Sequence, residues 1–119
     1  RLILQPNTCQ PELRRYLLEH GYEILDESCA AEARHAYLIL TVRYSGEKSV
    51  VRDEVMLYTG CCLQKKEEGR FYFEMLRRKT AATLAGLRRG KKESERLTSK
   101  RELSERLLAR LEKLLEAYR

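Results

Sequence analysis

The sequence predicts an α/β fold in which a small three-stranded sheet is followed by a pair of long helices. Three observations support this prediction. The first 44 residues read as strand, helix, strand and strand, and the last of these strands, 36–44, is apolar at nearly every position. Such a strand is typically central, with both faces covered. Beyond residue 60, apolar residues recur at steps of three and four, which is the periodicity of amphipathic helices.

The first strand and helix are recognised by their composition and their end signals. "LIL" near the start of the chain is an apolar run, predicted to be a strand over 1–5 and ended by "QPN". Apolar residues at helical spacing then predict a helix over 10–20, with Pro11 in its first turn. Gly21 is suited to the left-handed position that ends such a helix.

The order of the strands follows from their connections. A helical crossover makes strands 1–5 and 22–27 parallel. The short connection after residue 27, read as a turn region over 28–35, makes strand 36–44 antiparallel to 22–27. If 36–44 is central, the sheet order is 1–5, 36–44, 22–27.

Two helices are predicted in the second half of the chain. An apolar stripe from Phe73 to Leu87 predicts a helix over 68–89 that stops at Gly90. Ser99 with Glu102 resembles a capping box at the start of a second helix. We expect the two helices to pair as an antiparallel coiled-coil hairpin. The alternative is one continuous helix through 90–98, since a single glycine costs only about 1 kcal/mol.

Charge is distributed unevenly along the chain, whose net charge is +6. Residues 1–60 contain 7 Lys and Arg and 9 Asp and Glu, a net charge of −2. Residues 61–119 contain 17 Lys and Arg and 9 Asp and Glu, a net charge of +8. This asymmetry favours two structural units with different partners, divided near residue 60.

Basic residues cluster on the two predicted helices and at the connection between them. Because few glutamates lie near 77–92 to neutralise them, we interpret these residues as a surface that attracts nucleic-acid phosphates. The alternative is a solvated helical face neutralised by ion pairs at i,i+4 spacing. The residues predicted to bind RNA are Arg77, Arg78, Lys79, Arg88, Arg89, Lys91, Lys92, Lys100 and Arg101.

The cysteines and the hydropathy pattern favour a cytoplasmic protein. The four cysteines, Cys9, Cys29, Cys61 and Cys62, show no CxxC motif and no Cys/His spacing typical of zinc sites. We interpret them as buried, reduced thiols and expect no metal site. No apolar stretch approaches the length of a membrane span, so we expect no membrane partner.

The segments "LILQPN", "LRRYLLEHGYEILDE" and "AYLIL" together resemble a known enzyme family. They are similar to the bacterial tRNA (adenine(22)-N(1))-methyltransferases, class I S-adenosylmethionine-dependent enzymes with a Rossmann-like sheet. The sheets of such enzymes end with an antiparallel strand inserted between the last two parallel strands. The resemblance is strong over 2–28, moderate to about residue 60 and architectural beyond. Leu38 stands where the family usually has Glu.

The resemblance implies that this chain is the C-terminal portion of such an enzyme, with residues 1–60 ending its Rossmann-like domain and 61–119 forming a basic helical arm. It implies S-adenosylmethionine as cofactor, tRNA as substrate and methyl transfer to adenine N1. The glycine-rich cofactor loop and most catalytic residues, which the sequence leaves unknown, would lie upstream, since the six glycines here form no GxGxxG motif. The chain alone is therefore expected to be inactive.

Within this chain, the resemblance directs attention to the end of the first strand. Ligands of such sheets bind beyond the C-terminal ends of the parallel strands. Gln5, Pro6 and Asn7 are therefore expected to form one wall of the substrate pocket, although Asn7 as a helix cap and Pro6 as a turn residue are the simpler interpretation. We also expect self-association, either edge to edge through residues 1–5 or by the helical arm of another copy covering the exposed sheet face.

Two other functions remain open from the sequence. One is a non-catalytic module that binds RNA or a partner helix through its basic helices. The other is oligomerisation through those helices, which predicts no salt-dependent RNA binding.

Overall fold

The computed structural model describes residues 1–5, 10–32, 35–90 and 94–118. Its elements are, in chain order, β1 (Leu2–Leu4), α1 (Gln10–Glu19), β2 (Tyr22–Glu32), β3 (His35–Tyr44), α2 (Glu54–Thr59), a single turn of 3-10 helix (Leu63–Lys65), α3 (Glu68–Arg89) and α4 (Glu95–Glu116). Within these ranges, no helix combines the length and the apolar character that crossing a membrane requires.

The sheet places β3 between β1 and β2, and both strand pairs are antiparallel. β1 and β2 are therefore parallel to each other, which is the order expected from the sequence. Leu2 is paired with Val42 and Leu4 with Leu40 across β1 and β3. Among the described strands, none pairs with the outer edge of β1, where Leu2 is 53% and Ile3 is 75% exposed.

The hairpin of β2 and β3 is longer than the sequence suggested. β2 continues to Glu32, and its pairing with β3 runs from Tyr22 opposite Tyr44 to Glu32 opposite His35. The turn expected over 28–35 is therefore wrong for most of its length. Residues 28–32 contain neither glycine nor proline, so nothing in their backbone opposes continued pairing. Residues 33–34 lie outside the described part of the chain.

A bulge in β2 decides which of its side chains face the core. The pairing register shifts after Ile24, so the inward positions change from even to odd numbers and Glu27 and Cys29 point inward. Three inward residues of β2 are each paired with a fully buried residue of β3: Ile24 with Val42, Glu27 with Leu40 and Cys29 with Leu38. The bulge therefore turns an acidic side chain toward the apolar face of the sheet.

The two faces of β3 are covered unequally by the described elements. Leu38, Leu40 and Val42 have no exposed surface, whereas Tyr37 and Ile39 on the opposite face are half-buried. The expectation that both faces of this strand are covered is therefore met in full on one face only.

Gly21 ends α1 as expected, with a left-handed φ of 87°. Its carbonyl oxygen accepts hydrogen bonds from the N–H groups of Ser45 and Gly46, both at 2.9 Å. A Cβ atom at Gly21 would lie 3.1 Å from the Cα of Gly46. The glycine thus allows the end of β3 to lie against the α1–β2 turn.

The helices α3 and α4 pack against each other in antiparallel directions. Near the start of α3, the Phe73 ring lies 6.4 Å from the Tyr118 ring, between centroids, just beyond the end of α4. At the other end, Arg88 Nη2 lies 3.6 Å from Glu105 Oε1. The predicted bounds of α3 are confirmed. Whether the pair supercoils as a coiled coil stays a prediction.

The connection between α3 and α4 corrects two expectations. Gly90 has an extended conformation, φ −70° and ψ 137°, so one continuous helix is wrong. α4 begins five residues before the expected start, because the Ser94 hydroxyl caps it by accepting the N–H of Leu97 at 3.2 Å. Ser99 therefore lies inside the helix rather than at its cap. Residues 91–93 lie outside the described part of the chain.

One apolar core joins the sheet to all the longer helices. α1 contributes Leu17 and α2 contributes Val55 to the cluster formed by the inward face of β3. The helical pair completes it with five buried side chains: Tyr72, Phe73, Leu107, Leu111 and Leu115. Part of the length of α3 and of α4 therefore packs on the sheet, and the pair is not a free arm throughout.

Candidate nucleic-acid interface

The basic residues predicted to bind RNA are mostly free of ion pairs. Seven of the nine lie in the described ranges, and Lys91 and Lys92 lie outside them. Arg88 is paired with Glu105. For the other six, no ion pair is present among the described residues: Arg77, Arg78, Lys79, Arg89, Lys100 and Arg101. The i,i+4 pairs that the alternative interpretation requires are therefore not found at these described positions.

Arg78 and Arg89 lie on the solvent face of α3. They are eleven residues apart, which is about three helical turns, so they share one angular position. Both are exposed, and the buried residues Thr80 and Leu84 lie on the opposite side of the helix. The Arg89 guanidinium hydrogen-bonds only to the carbonyl oxygen of Ala85 in the described part of the chain, at 3.3 Å, and keeps its charge available.

Arg77 and Arg88 share a second angular position on α3, on the flank beside α4. The Arg88–Glu105 pair is exposed, with side-chain exposures of 62% and 46%, and such pairs contribute little to stability. Arg77 is half-buried, and its Nε atom is shielded from solvent without a hydrogen-bond partner among the described residues. These two arginines border the seam between the helices.

The first half of α4 lines a groove that the sequence did not predict. This groove of about 1070 Å³ runs between α2 and α4. Arg96, Lys100 and Arg106 line it together with the half-buried Tyr58, and three glutamates also contribute: Glu54, Glu102 and Glu105. Arg96 and Lys100 are four residues apart, a spacing that places both on one side of α4, whereas Arg106 and Tyr58 join them only through the packing of α2 and α4.

The residues expected to wall a substrate pocket are only partly described. Gln5 directly follows β1 and is exposed, whereas Pro6 and Asn7 lie outside the described residues. Of the expected wall, the structure therefore places Gln5, at the end of β1 and open to solvent.

Lys100 and Arg101, which are predicted to bind RNA, occupy adjacent positions of α4. Lys100 is exposed and Arg101 is half-buried.

A buried ion pair lies beneath the short helix α2. Arg14 Nη2 is 2.7 Å from Glu27 Oε2, and both side chains have 0% exposure. The same guanidinium donates from Nη1 to the carbonyl oxygens of Leu57, at 2.6 Å, and Tyr58, at 3.0 Å. Arg14 lies three residues before the buried Leu17, so helical spacing could have placed it on the inner face of α1. The bulge that turns Glu27 inward left no signal in the sequence.

The second oxygen of Glu27 holds the segment after α2. Glu27 Oε1 accepts the N–H groups of Cys61, at 2.8 Å, and Cys62, at 3.1 Å. Gly60 has φ 73°, and a Cβ atom there would collide with the Glu27 carboxylate. Glu27 therefore has hydrogen-bond partners at both oxygens, and its only close counter-charge among the described residues is Arg14.

Cys61 and Cys62 differ from the buried thiols expected from the sequence. Cys29 is buried, but Cys61 is exposed and Cys62 is half-buried, and all three are free thiols. Cys9 lies outside the described residues. Partial burial of its sulfur, with the nearby Glu27 carboxylate, raises the pKa of the Cys61 thiol to about 12, although the residue as a whole is exposed. Burial likewise raises the pKa of Cys62. These thiols are held in their protonated form.

A family model and solved structures place this chain among known proteins. The model of TrmK, described as tRNA (adenine(22)-N(1))-methyltransferase, matches residues 1–113. Sp1610 of Streptococcus pneumoniae, assigned as a tRNA (m1A22) methyltransferase, is 26% identical with a TM-score of 0.67, over 96% of this chain and 48% of its own. Another structure of Sp1610, 27% identical with a TM-score of 0.60 over 90% of this chain and 46% of its own, contains S-adenosyl-L-methionine.

More distant structures share the fold. An uncharacterised protein of Listeria monocytogenes is 23% identical with a TM-score of 0.70, over 96% of this chain and 50% of its own. TrmK of B. subtilis, an m1A22 tRNA methyltransferase, is 20% identical with a TM-score of 0.62 over the same shares. The chain thus spans about half the length of these structures. No curated protein matches the chain significantly.

Proposed function

The chain belongs to the tRNA (adenine(22)-N(1))-methyltransferase family, and from this premise we propose that it serves as the C-terminal portion of an enzyme that transfers a methyl group from S-adenosylmethionine to N1 of an adenine in tRNA. Its basic helices contact the tRNA. A relative solved with S-adenosyl-L-methionine supports the choice of cofactor. We propose a cytoplasmic location for this activity, because tRNA is available there as substrate.

The observation that carries the tRNA contact is the set of unpaired basic side chains on α3 and α4. Six basic residues predicted from the sequence have no ion pair among the described residues, so their charges are not neutralised locally. Their spread along two helices suits the phosphate backbone of a structured RNA, which is recognised by position and charge. Arg96 and Arg106 lie with Lys100 in the groove beside Tyr58, where three glutamates balance their charge.

The chemistry of the proposed reaction sets what the intact site must supply. Adenine N1 has a lone pair and no proton, so attack on the methyl group needs no prior deprotonation. The site must align the two reactants, exclude water and tolerate a cationic product. A base-paired adenine must also be unpaired, because N1 lies on its pairing edge. Gln5, Pro6 and Asn7, which follow β1 in the sequence, are proposed as one wall of this pocket.

We assign the methyl transfer to the enzyme as a whole and propose that this chain alone is inactive. Its six glycines form no GxGxxG motif that would cradle the cofactor. In this division, residues 1–60 end the Rossmann-like domain and residues 61–119 form the tRNA-contacting arm. Calorimetric titration of the 119-residue chain with S-adenosylmethionine tests the proposal, and saturable micromolar binding would contradict it.

The tRNA contact is tested with two variants of equal charge. In the first, Arg77, Arg78, Arg88 and Arg89 are changed to Gln. The matched control changes four arginines that lie outside α3 and α4, namely Arg1, Arg15, Arg43 and Arg52. Both variants lose four positive charges, so non-specific attraction falls equally.

The readout is tRNA affinity as a function of salt concentration, in chains whose folding is verified by circular dichroism. We expect the first variant to bind tRNA more weakly, with a salt slope reduced by about 1 for each phosphate that is no longer neutralised. The control should keep most of its slope. Equal losses in both variants would mean that only net charge matters, and an unchanged slope in the first would exclude α3 as the tRNA surface.

We also propose that the isolated chain self-associates. β1 has an outer edge without a partner among the described strands, and its side chains Leu2 and Ile3 are more than half exposed. An apolar edge with free N–H and C=O groups pairs readily with another strand.

A further inference from the structure

Three potential metal ligands converge beside α2, outside the basic surface. One ligand atom each from Glu27, Cys61 and Cys62 lies within 4.8 Å of the others. The two sulfur atoms are 3.7 Å apart and belong to free thiols. The two cysteines form no CxxC motif, and no metal site was expected, but the bend after Gly60 turns both sulfurs to the same side.

The distance between the sulfurs matches the spacing that zinc imposes. Zinc binds thiolates at about 2.3 Å in tetrahedral geometry, which sets two sulfur ligands about 3.8 Å apart. The Cys61 and Cys62 sulfurs, at 3.7 Å, are therefore spaced for one ion without a change in backbone conformation. The Cys61 side is exposed, which leaves room for a water molecule at the fourth position.

The local charge also suits a divalent cation. Glu27 and Arg14 neutralise each other, and the nearby Lys66 is paired with Asp26 at 2.8 Å. With both thiols protonated, the cluster has no net charge. When Zn²⁺ replaces the two thiol protons, its two positive charges balance the two thiolates and the cluster stays neutral. A half-buried position tolerates this exchange better than any binding event that leaves an excess charge.

We propose that Cys61, Cys62 and Glu27 bind one thiophilic divalent cation, Zn²⁺, with two thiolates and one carboxylate oxygen as protein ligands. Glu27 Oε1 gives up one of its two N–H hydrogen bonds to coordinate the ion, while Oε2 stays with Arg14. The ion joins β2 to the segment after α2. This site is independent of the proposed tRNA contact.

The test is titration of the whole 119-residue chain with Zn²⁺ alone, against a chromophoric chelator and with a non-thiol reductant. We expect one Zn²⁺ per chain and the release of two protons per ion, read in a weakly buffered solution. Cys61→Ser and Cys62→Ser should each weaken binding more than about 100-fold, beyond the loss typical of a residue outside the ligand set. Cys29→Ala and Cys9→Ser, which keep the pair, are the controls.

Co²⁺ provides a second measurement on the unaltered chain, so the test does not depend on the variants folding. A tetrahedral site with two thiolates gives intense visible d–d bands and a sulfur-to-metal charge-transfer band, and Zn²⁺ should displace both. Binding that survives both serine variants, binding without proton release, or a Co²⁺ spectrum typical of six oxygen ligands would each overturn the proposal.

Discussion

Arg14 and Glu27 form a fully buried ion pair, 2.7 Å between Nη2 and Oε2, that ties three separate segments together. The arginine reaches the end of α2 through the Leu57 and Tyr58 carbonyls, and the glutamate reaches the following bend through the Cys61 N–H. Burying two charges is costly unless each finds several partners, and here both do. The pair therefore fixes the position of α2 on the sheet.

Removing both members of this pair should cost far less than the sum of the two single losses. Arg14→Met leaves a buried carboxylate without its counter-charge, and we expect a loss of about 3–5 kcal/mol in the free energy of unfolding. Glu27→Gln should cost a similar amount. The double variant should lose much less than the sum, as measured by urea denaturation in a double-mutant cycle. Additive losses would show that the two charges are not coupled.

Two glycines of α3 offer the same substitution with opposite expected results. A Cβ atom at Gly69 would collide with the Leu63 carbonyl oxygen and the Tyr118 hydroxyl, whereas at Gly86 it would enter open space in the described part of the chain. Gly86→Ala should stabilise the chain by about 0.5–1 kcal/mol through helix propensity. Gly69→Ala should destabilise it by about 1–3 kcal/mol through overpacking. Thermal unfolding measures both, and a shared sign would contradict the packing.

Stability should fall at alkaline pH because of Cys61. Partial burial of its sulfur beside the Glu27 carboxylate raises the pKa of the thiol to about 12 in the fold, against about 8.5 in an unfolded chain. The folded state therefore keeps the thiol proton to a higher pH than the unfolded chain does. The contribution of Cys61 to the free energy of unfolding is complete below about pH 8.5 and is lost as the pH rises toward 12. Cys61→Ser should show a shallower alkaline decline in urea denaturation than the unaltered chain. Ser99→Ala, an exposed change on α4, should leave the decline unchanged.

Self-association should depend on the free edge of β1. Ile3 is 75% exposed, and a lysine there would place a charge on any paired edge. Ile3→Lys should shift the chain toward monomer in sedimentation equilibrium at tens of micromolar. The matched control is Val50→Lys. Val50 is also apolar and is 79% exposed, but it lies outside β1. A strictly monomeric unaltered chain would contradict the edge argument.

The sequence was sufficient for elements whose signals are local and repeated. α3 follows a stripe of apolar residues that spans its whole length, and β3 is apolar enough to be identified as central. The order of the strands in the sheet followed from the connections between them. α2 was not predicted, because a helix of six residues is too short to show a periodic pattern. Its signal was Asp53, whose side chain caps the helix by accepting the Val55 N–H at 3.1 Å.

The features that build the candidate sites depend on tertiary contacts. A bulge turns Glu27 inward, and nothing in "YEILDE" distinguishes that strand from a regular one. Ser94 and Ser99 both stand where helix caps are common, and only the backbone conformation decides between them. The basic residues of α3 were identifiable because a surface charge needs no partner to be recognised.

The hydrogen bonds from Cys61 and Cys62 to Glu27 have a consequence for solvent exchange. These two amides belong to neither a helix nor a strand, yet their protons point at a buried carboxylate. Exchange with deuterium requires that this segment separate from β2, so their protection reports the free energy of a single local opening. Two backbone positions on the surface of the protein thus act as a direct gauge of an ion pair in its interior.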